Sequence, residues 1–300
     1  MNQTPFTNMA TDFGTAFGAG TQNAITSLLA AVATPLMASV TLWVIVQGIL
    51  VMRGDMDARG GITRIIKVAL VVGILTSSGL YTNYVQTLFI TTIPNWLASA
   101  AGGTQLAITS TPATFDNMWQ VTEHTVETVG AQIAIYDVVD AVSLVLIELS
   151  IMVLLVVTFA IYEFAIIAIG IMVAIGPVLI VGYLFEATKG VTDRWIGKLI
   201  TYSLLTLLIN VTLNVVLTGE KTYMRTILTQ QASGTAAVPG EIKVLIELAM
   251  FFAMGAFIVV SLPAIAAVLG GGLGVSPGAA IMNAFTNLAS RAATRKPKAA

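Results

Sequence analysis

The side chains that could support catalysis or bind a metal are few in this sequence of 300 residues. Cysteine is absent, which excludes thiolate catalysis and cysteine-based zinc or iron–sulfur sites. His124 is the only histidine, with Glu123 and Glu127 close to it. His124 and Glu127 can share a helix face, but a hydrolytic zinc site needs three protein ligands and a general base. We therefore interpret these residues as part of a solvated acidic helix and predict no metal site.

Two short segments resemble parts of nucleotide-binding enzymes without completing their motifs. The glycine-rich segment 270–274 lacks the Lys and Ser/Thr of a phosphate-binding loop, so we interpret it as a hinge. Asp12, Phe13 and Gly14 match a kinase tripeptide, but no other kinase element accompanies them. No Ser/His/Asp set can be assembled in one compartment. The sequence predicts a protein that is not an enzyme and has no cofactor.

The composition of the chain indicates its class. Hydrophobic residues make up 56% of the sequence and charged residues 10%, and the mean hydropathy is +0.89. A soluble domain has about 25% charged residues. A chain this apolar cannot cover its own surface with polar groups. We predict an all-α, polytopic membrane protein, and the net charge of −1 gives no sign of a nucleic-acid partner.

Long apolar runs and basic residues together predict the membrane topology. A spanning helix needs about 20 residues, and five runs reach that length. They cover residues 28–52, 68–90, 141–185, 199–218 and about 248–269. With five spans and the N-terminus outside, eleven of the fourteen Lys and Arg residues lie on the cytoplasmic side. Six spans would divide them seven to seven. We predict five transmembrane helices, N-out and C-in, with additional amphipathic periplasmic helices.

This topology divides the chain into segments of different character. They are a periplasmic N-terminal segment (1–27), two spans (28–90) with a basic cytoplasmic loop (53–67), a periplasmic loop (91–140), a hydrophobic core region (141–269), and a glycine-rich hinge with a basic tail (270–300). In the first segment Phe6, Phe13 and Phe17 predict an amphipathic helix, with a flexible tail as the alternative. In the periplasmic loop the pattern over 114–140 predicts an acidic helix with Asp116 on its solvated face.

The third apolar run is 45 residues long, and its only charges are Glu148 and Glu163. It is either one span with a long extension or two spans joined at Glu163. If 164–185 is the span, the helix over 141–163 must be re-entrant, interfacial or buried between subunits. A monomer does not easily bury such a helix, which favours a homo-oligomer. The two glutamates could serve as protonation sites for transport, although an interfacial position explains Glu163 more simply.

A polar stripe runs along the fourth apolar segment. Ser203, Thr206, Asn210 and Asn214 recur at spacings of three and four residues. An Asn side chain is costly in hydrocarbon unless it is hydrogen-bonded. The stripe must therefore face another helix or line a wet channel, and helix–helix contact is the commoner use.

The most distinctive sequence feature is a Gly-Pro pair, Gly176–Pro177, followed by Phe185, Thr188 and Trp195. Pro177 has no backbone N–H and is expected to kink its span. A charged turn follows, and Trp195 is expected at the next membrane boundary. This stretch resembles the TrbL family of conjugation proteins. Its members carry Gly-Pro in a central span, then an aromatic residue, a turn, and a Trp that opens the next span.

The resemblance implies a structural or channel subunit of a type IV secretion system in the bacterial inner membrane. Such subunits support pilus assembly and the transfer of single-stranded DNA or protein. The implied partners are further copies in a homo-oligomeric ring, a periplasmic stalk or pilus-tip subunit, a bitopic periplasmic scaffold, cytoplasmic secretion ATPases, membrane lipid and, transiently, single-stranded DNA. The alternative is a secondary transporter with Glu148 or Glu163 as coupling groups. A transporter often has two similar halves, and the sequence shows no convincing repeat.

Overall fold

A computed structural model describes residues 4–54, 58–76, 78–100, 111–131, 133, 138–232 and 238–270, and every regular element in these ranges is helical. The α-helices are α1 (Pro5–Met52), α2 (Ala58–Thr76), α3 (Ser78–Leu80), α4 (Ile93–Ala100), α5 (Thr111–Gly130), α6 (Val138–Val181), α7 (Glu186–Ala232) and α8 (Val238–Leu269). Two π-helical segments, Tyr81–Gln86 and Leu88–Thr92, connect α3 to α4, and a 3-10 turn, Gly182–Leu184, ends α6. The basic tail, 271–300, lies outside the described residues.

Four helical stretches are long and apolar enough to cross a membrane. They are Pro5–Met52, Val138–Leu184, Ala187–Tyr223 and Ile242–Leu269. A fifth candidate is the pair Val68–Thr76 and Tyr81–Leu97, whose halves meet at an angle of 102°. The prediction of an all-α polytopic membrane protein is confirmed. The predicted number of five spans is reached when the bent pair counts as one.

The order of contacts gives the direction of each helix. The rings of Phe6 and Phe159 lie 5.1 Å apart, and a Cβ on Gly170 would lie 3.5 Å from Thr21 Oγ1, so α1 and α6 run in the same direction. If α1 and α6 both cross the membrane in the same direction, the chain must cross it once in the opposite direction between them. The bent pair is the apolar segment between these two helices. Helix α7 runs antiparallel to α6, and α8 runs antiparallel to α7.

We expect the contact between α1 and α6 to be measurable by disulfide trapping in this cysteine-free chain. The pair Thr21→Cys and Gly170→Cys should cross-link on oxidation, because a Cβ at position 170 would lie 3.5 Å from Thr21 Oγ1, the atom that a cysteine sulfur would replace. The pair Gly18→Cys and Gly170→Cys is the control, since nothing lies within 4 Å of a Cβ at Gly18. Equal cross-linking of both pairs on a denaturing gel would contradict the close approach of Thr21 to Gly170.

The third apolar run forms one continuous helix. Helix α6 passes Glu163 without a turn, so neither a re-entrant loop nor two spans joined at that residue describes it. With its 3-10 turn the segment has 47 residues and is about 70 Å long, whereas the hydrocarbon core is about 30 Å thick. The first half of α6 exposes a row of apolar side chains: Val138, Val139, Val142, Val145, Leu146, Leu149, Met152, Val153 and Val156.

The acidic helix of the outer region, α5, packs into the bundle. It ends at Gly130, earlier than the predicted 140, and glycine is a poor helix former. Phe115, Met118 and Val129 are fully buried in the larger apolar core, which also contains residues of α6, α7 and α8. A second core lies around α1, α2, the first π-helical segment, α6 and the start of α7. Helix α5 therefore has a packed side as well as a solvated one.

Candidate assembly site at the Gly176–Pro177 pair

The Gly-Pro pair lies within α6, four residues before the helix ends at Val181. Because Pro177 has no N–H, the carbonyl of Val173 loses its normal partner one turn along the helix. The hydroxyl of Tyr81, the first residue of the π-helical segment, donates a hydrogen bond to this carbonyl. Tyr81 is fully buried. A side chain from another part of the chain thus satisfies the acceptor that the proline leaves free, which a buried carbonyl requires.

The neighbouring carbonyl also receives a donor from outside its helix. The indole N–H of Trp195, on α7, donates to the carbonyl oxygen of Met172 at 2.8 Å. Trp195 is only 6% exposed, so its ring lies in the contact between α6 and α7 rather than at the protein surface. The tryptophan expected at the membrane boundary therefore fixes one helix against another.

Gly176 is the residue that lets both aromatic side chains approach the backbone of α6. A Cβ at this position would overlap Tyr81 Oη and would lie 2.7 Å from Trp195 Cζ2, closer than real Cβ atoms come to other heavy atoms. Any side chain larger than hydrogen would displace Tyr81, Trp195 or both. We call Tyr81, Gly176, Pro177 and Trp195 the Gly-Pro clasp.

The turn after the clasp is closed by threonine hydroxyls. Thr188 Oγ1 donates to the carbonyl of Gly182 at 2.7 Å, and Thr192 Oγ1 donates to the carbonyl of Leu179 at 2.6 Å. Both acceptors belong to the end of α6 or its 3-10 turn, where the regular helical pattern of hydrogen bonds stops. The Gly182 carbonyl also accepts the backbone N–H of Phe185, at 3.4 Å. Phe185 is the extended residue between this turn and α7, and its ring is 43% exposed.

The structure thus brings together three of the five predicted motif residues, Gly176, Pro177 and Trp195. Thr188 lies in the adjoining turn, and Phe185 is exposed beside it. Sequence reasoning missed Tyr81 and Thr192. The proline does signal that its helix has a free carbonyl, but nothing in the sequence shows which donor reaches it from 92 residues away.

The predicted polar stripe is buried over three of its four residues, and Asn214 is exposed. Ser203 and Thr206 donate to carbonyls of their own helix, at 3.0 and 2.8 Å. Asn210 makes a contact between helices, because its Oδ1 accepts a hydrogen bond of 2.7 Å from Thr111 Oγ1 on α5. Asn210 therefore makes the helix–helix contact predicted for the stripe, whereas the hydroxyls of Ser203 and Thr206 bond within their own helix.

The other side chains considered for chemistry are dispersed or engaged elsewhere. His124 and Glu127 are exposed, and within the described ranges no three potential metal ligands gather at one place. Glu148 and Glu163 are both half-buried on α6. The expectation that Asp116 lies on a solvated face is wrong, because its carboxylate is 3% exposed and bonds to the start of α1.

Comparison with known proteins assigns the family. Residues 40–262 match the family described as TrbL/VirB6 plasmid conjugal transfer protein, a range that contains the whole Gly-Pro clasp. The chain belongs to the TrbL/VirB6 family. It is 38% identical to Protein VirB6 of Agrobacterium fabrum over 268 residues, which are 89% of this chain and 90% of the relative. A Rhizobium radiobacter relative, also Protein VirB6, is 37% identical over the same shares.

The name of a more distant relative identifies the secretion system in which the family works. The Type IV secretion system protein VirB6 of Bartonella quintana is 25% identical over 191 residues, 62% of this chain and 57% of the relative. As a TrbL/VirB6 member, this multi-pass membrane protein is a subunit of a type IV secretion system. The resemblance to the TrbL family is confirmed. The match begins at residue 40 and therefore omits the first part of α1.

Proposed function

We propose that the protein is a structural, non-enzymatic channel subunit in the bacterial inner membrane. It supports pilus assembly and the transfer of single-stranded DNA or protein by its secretion system. The Gly-Pro clasp carries this proposal. The most distinctive sequence motif of the chain holds helices against each other, which is a structural role. Energy for transfer comes from partner ATPases in the cytoplasm. The N-terminus is outside and the C-terminus inside, as the distribution of basic residues favours.

The exposed face of α6 supports a homo-oligomeric ring. Helix α5 lies beside this half of α6, and its Asn117, His124 and Glu127 are exposed. The charged side of the molecule therefore cannot be surrounded by lipid tails at this level, while the apolar row of α6 cannot favourably face water. Further copies of the chain, packed on α6, cover the apolar row and leave α5 in contact with water.

The charge distribution favours a subunit that builds and gates the assembly over one that tracks DNA. No Lys or Arg occurs from residue 68 to residue 187, and surfaces that follow single strands are normally basic. Contact with DNA is therefore transient. The lasting partners are a periplasmic stalk or pilus-tip subunit, a bitopic scaffold and the secretion ATPases.

The experiment that tests this proposal is affinity purification from native membranes in mild detergent, followed by mass spectrometry of the intact complex. We expect several copies of the chain together with a cytoplasmic ATPase and periplasmic scaffold and pilus subunits. Recovery of a lone monomer without partners would contradict the proposal. In that case Glu148 and Glu163 would be tested as coupling groups of a transporter in liposomes.

A further inference from the structure

The first part of α1 is attached to the rest of the protein mainly at its tip. We call residues 5–20 the N-terminal arm. The ring of Phe6, 4% exposed, lies 5.6 Å from that of Phe115 on α5 and 5.1 Å from that of Phe159 on α6. Residues 11–20 are exposed at every position, although they contain Phe13 and Phe17. Packing resumes near Thr21 and Ile25.

The cap of this helix comes from a distant part of the chain. Thr4, at the N-cap position, makes no side-chain hydrogen bond to the helix. Asp116 on α5 takes its place, because its carboxylate accepts the N–H groups of Phe6, at 2.8 Å, and Thr7, at 3.0 Å, as well as the hydroxyl of Thr7. The first N–H groups of a helix need such acceptors, and the positive end of the helix dipole favours a carboxylate.

Helix α5 has a separate attachment to the bundle, which does not involve the arm. Thr111 donates to Asn210 on α7 and also bonds to Tyr162 on α6. Further along α5, Met118 and Val129 are buried against the core. Loss of the Asp116 contacts would therefore leave Phe6 as the main attachment of the arm, without removing α5 from the bundle.

The arm also has a segment that can bend. Gly14, Gly18 and Gly20 lie in its exposed part, and no atom lies within 4 Å of a Cβ at any of them. Glycine is about 1 kcal/mol less favourable than alanine inside a helix, and here no packing offsets that cost. The helix between the docked tip and the packed body is thus easier to bend than a packed helix without glycine.

We propose that Asp116 is a latch that couples α5 to the N-terminal arm, and that its release frees the arm while the α6–α7–α8 bundle stays assembled. The arm is docked when the carboxylate caps α1 and Phe6 occupies its aromatic pocket. It is free when both contacts are lost and the glycine segment bends. The latch makes the position of the N-terminus depend on the position of α5, which belongs to the outer region of the protein.

The test is a distance measurement between spin labels on the purified full-length protein. The chain has no cysteine, so labels attach only where Cys is introduced. One pair, Asn8→Cys and Glu127→Cys, reports the arm against α5, and both positions are exposed. A second pair, Met152→Cys and Met254→Cys, reports the bundle between α6 and α8, also at exposed positions.

Asp116→Asn keeps the shape of the side chain but removes the charge and one acceptor oxygen. Hydrogen bonds to a charged group are stronger than neutral ones, so we expect about a tenfold shift towards the free arm, which corresponds to about 1.4 kcal/mol. Asn8–Glu127 distances should gain a second, broad component. The Met152–Met254 distances should not change. Asp12→Asn removes a carboxylate from the exposed part of the arm and should leave both pairs as in the wild type.

Two results would overturn the latch. If Asp116→Asn leaves the Asn8–Glu127 distances unchanged, the carboxylate does not hold the arm. If it broadens both pairs equally, Asp116 supports the whole fold and is not a separable latch. Neither result bears on membership of a secretion complex, so failure of the latch and failure of the proposed function are distinguishable.

Discussion

Gly176→Ala is expected to be among the most damaging single substitutions in this protein. The new methyl group would overlap Tyr81 Oη and would lie 2.7 Å from Trp195 Cζ2, so at least one of these buried side chains must move. Overpacking of a buried site costs about 1–3 kcal/mol, and here the displaced side chains also lose their hydrogen bonds to α6. We expect a clear fall in the thermal unfolding midpoint of the protein in detergent.

A matched glycine shows that this effect comes from the clasp and not from helix propensity. Gly73, in α2, has nothing within 4 Å of the position that a Cβ would take, so Gly73→Ala should be neutral or stabilise by about 0.5–1 kcal/mol. Tyr81→Phe should partly relieve Gly176→Ala, because it removes the atom that lies closest to the added methyl group. If Gly176→Ala and Gly73→Ala unfold at the same temperature, the close approach at the clasp does not exist.

Trp195→Ala is expected to abolish assembly of the secretion complex while the protein remains in the membrane. Removing a buried Trp costs about 3–5 kcal/mol, and the carbonyl of Met172 loses the indole N–H. The contact between α6 and α7 at the clasp would loosen, although both helices remain apolar enough to stay inserted. We therefore expect plasmid transfer and recovery of the complex to fall more than the amount of protein on an immunoblot.

Two further tryptophan variants separate the ring from its N–H group. Trp96, on α4, is 67% exposed, so Trp96→Ala is the matched loss of an indole outside the clasp and should affect assembly less. Trp195→Phe keeps an aromatic ring but not the donor, and it should lie between wild type and Trp195→Ala. Normal plasmid transfer by Trp195→Ala would contradict the assembly role of the clasp.

The sequence predicted the parts of the fold that depend on local apolar pattern. The long apolar runs became α1, α6, α7 and α8, because an unbroken run of that length is stable in a membrane only as a helix. The ends of these helices were not predictable in the same way. The phenylalanine spacing predicted a helix in the N-terminal segment, but not that it joins the first apolar run in one helix from Pro5 to Met52. Helix α7 continues to Ala232 over polar residues that carry no hydropathy signal.

Contacts between distant segments were beyond sequence reasoning. The pair Gly176–Pro177 and the later Trp195 could be recognised as one site, because they lie close together in sequence. Tyr81 could not be assigned to it, since its segment read as an ordinary span and is in fact bent by 102°. Asp116 was assigned to the solvated face by its charge and by its place in the helical pattern, away from the apolar residues. Its burial follows from the start of α1, which lies about a hundred residues earlier in the chain.

The central claim is that the residues of the clasp depend on one another: Tyr81 donates to the Val173 carbonyl the hydrogen bond that Pro177 cannot donate. A double-mutant cycle between Tyr81→Phe and Pro177→Ala, read as the free energy of unfolding in detergent, tests it most directly. In the wild type, Tyr81→Phe leaves a buried carbonyl without its donor and should cost about 1–3 kcal/mol. With Pro177→Ala the helix supplies its own N–H to Val173, and the cost of Tyr81→Phe should nearly vanish. Equal costs in both backgrounds would mean that tyrosine and proline act independently, and the account of the clasp would be wrong.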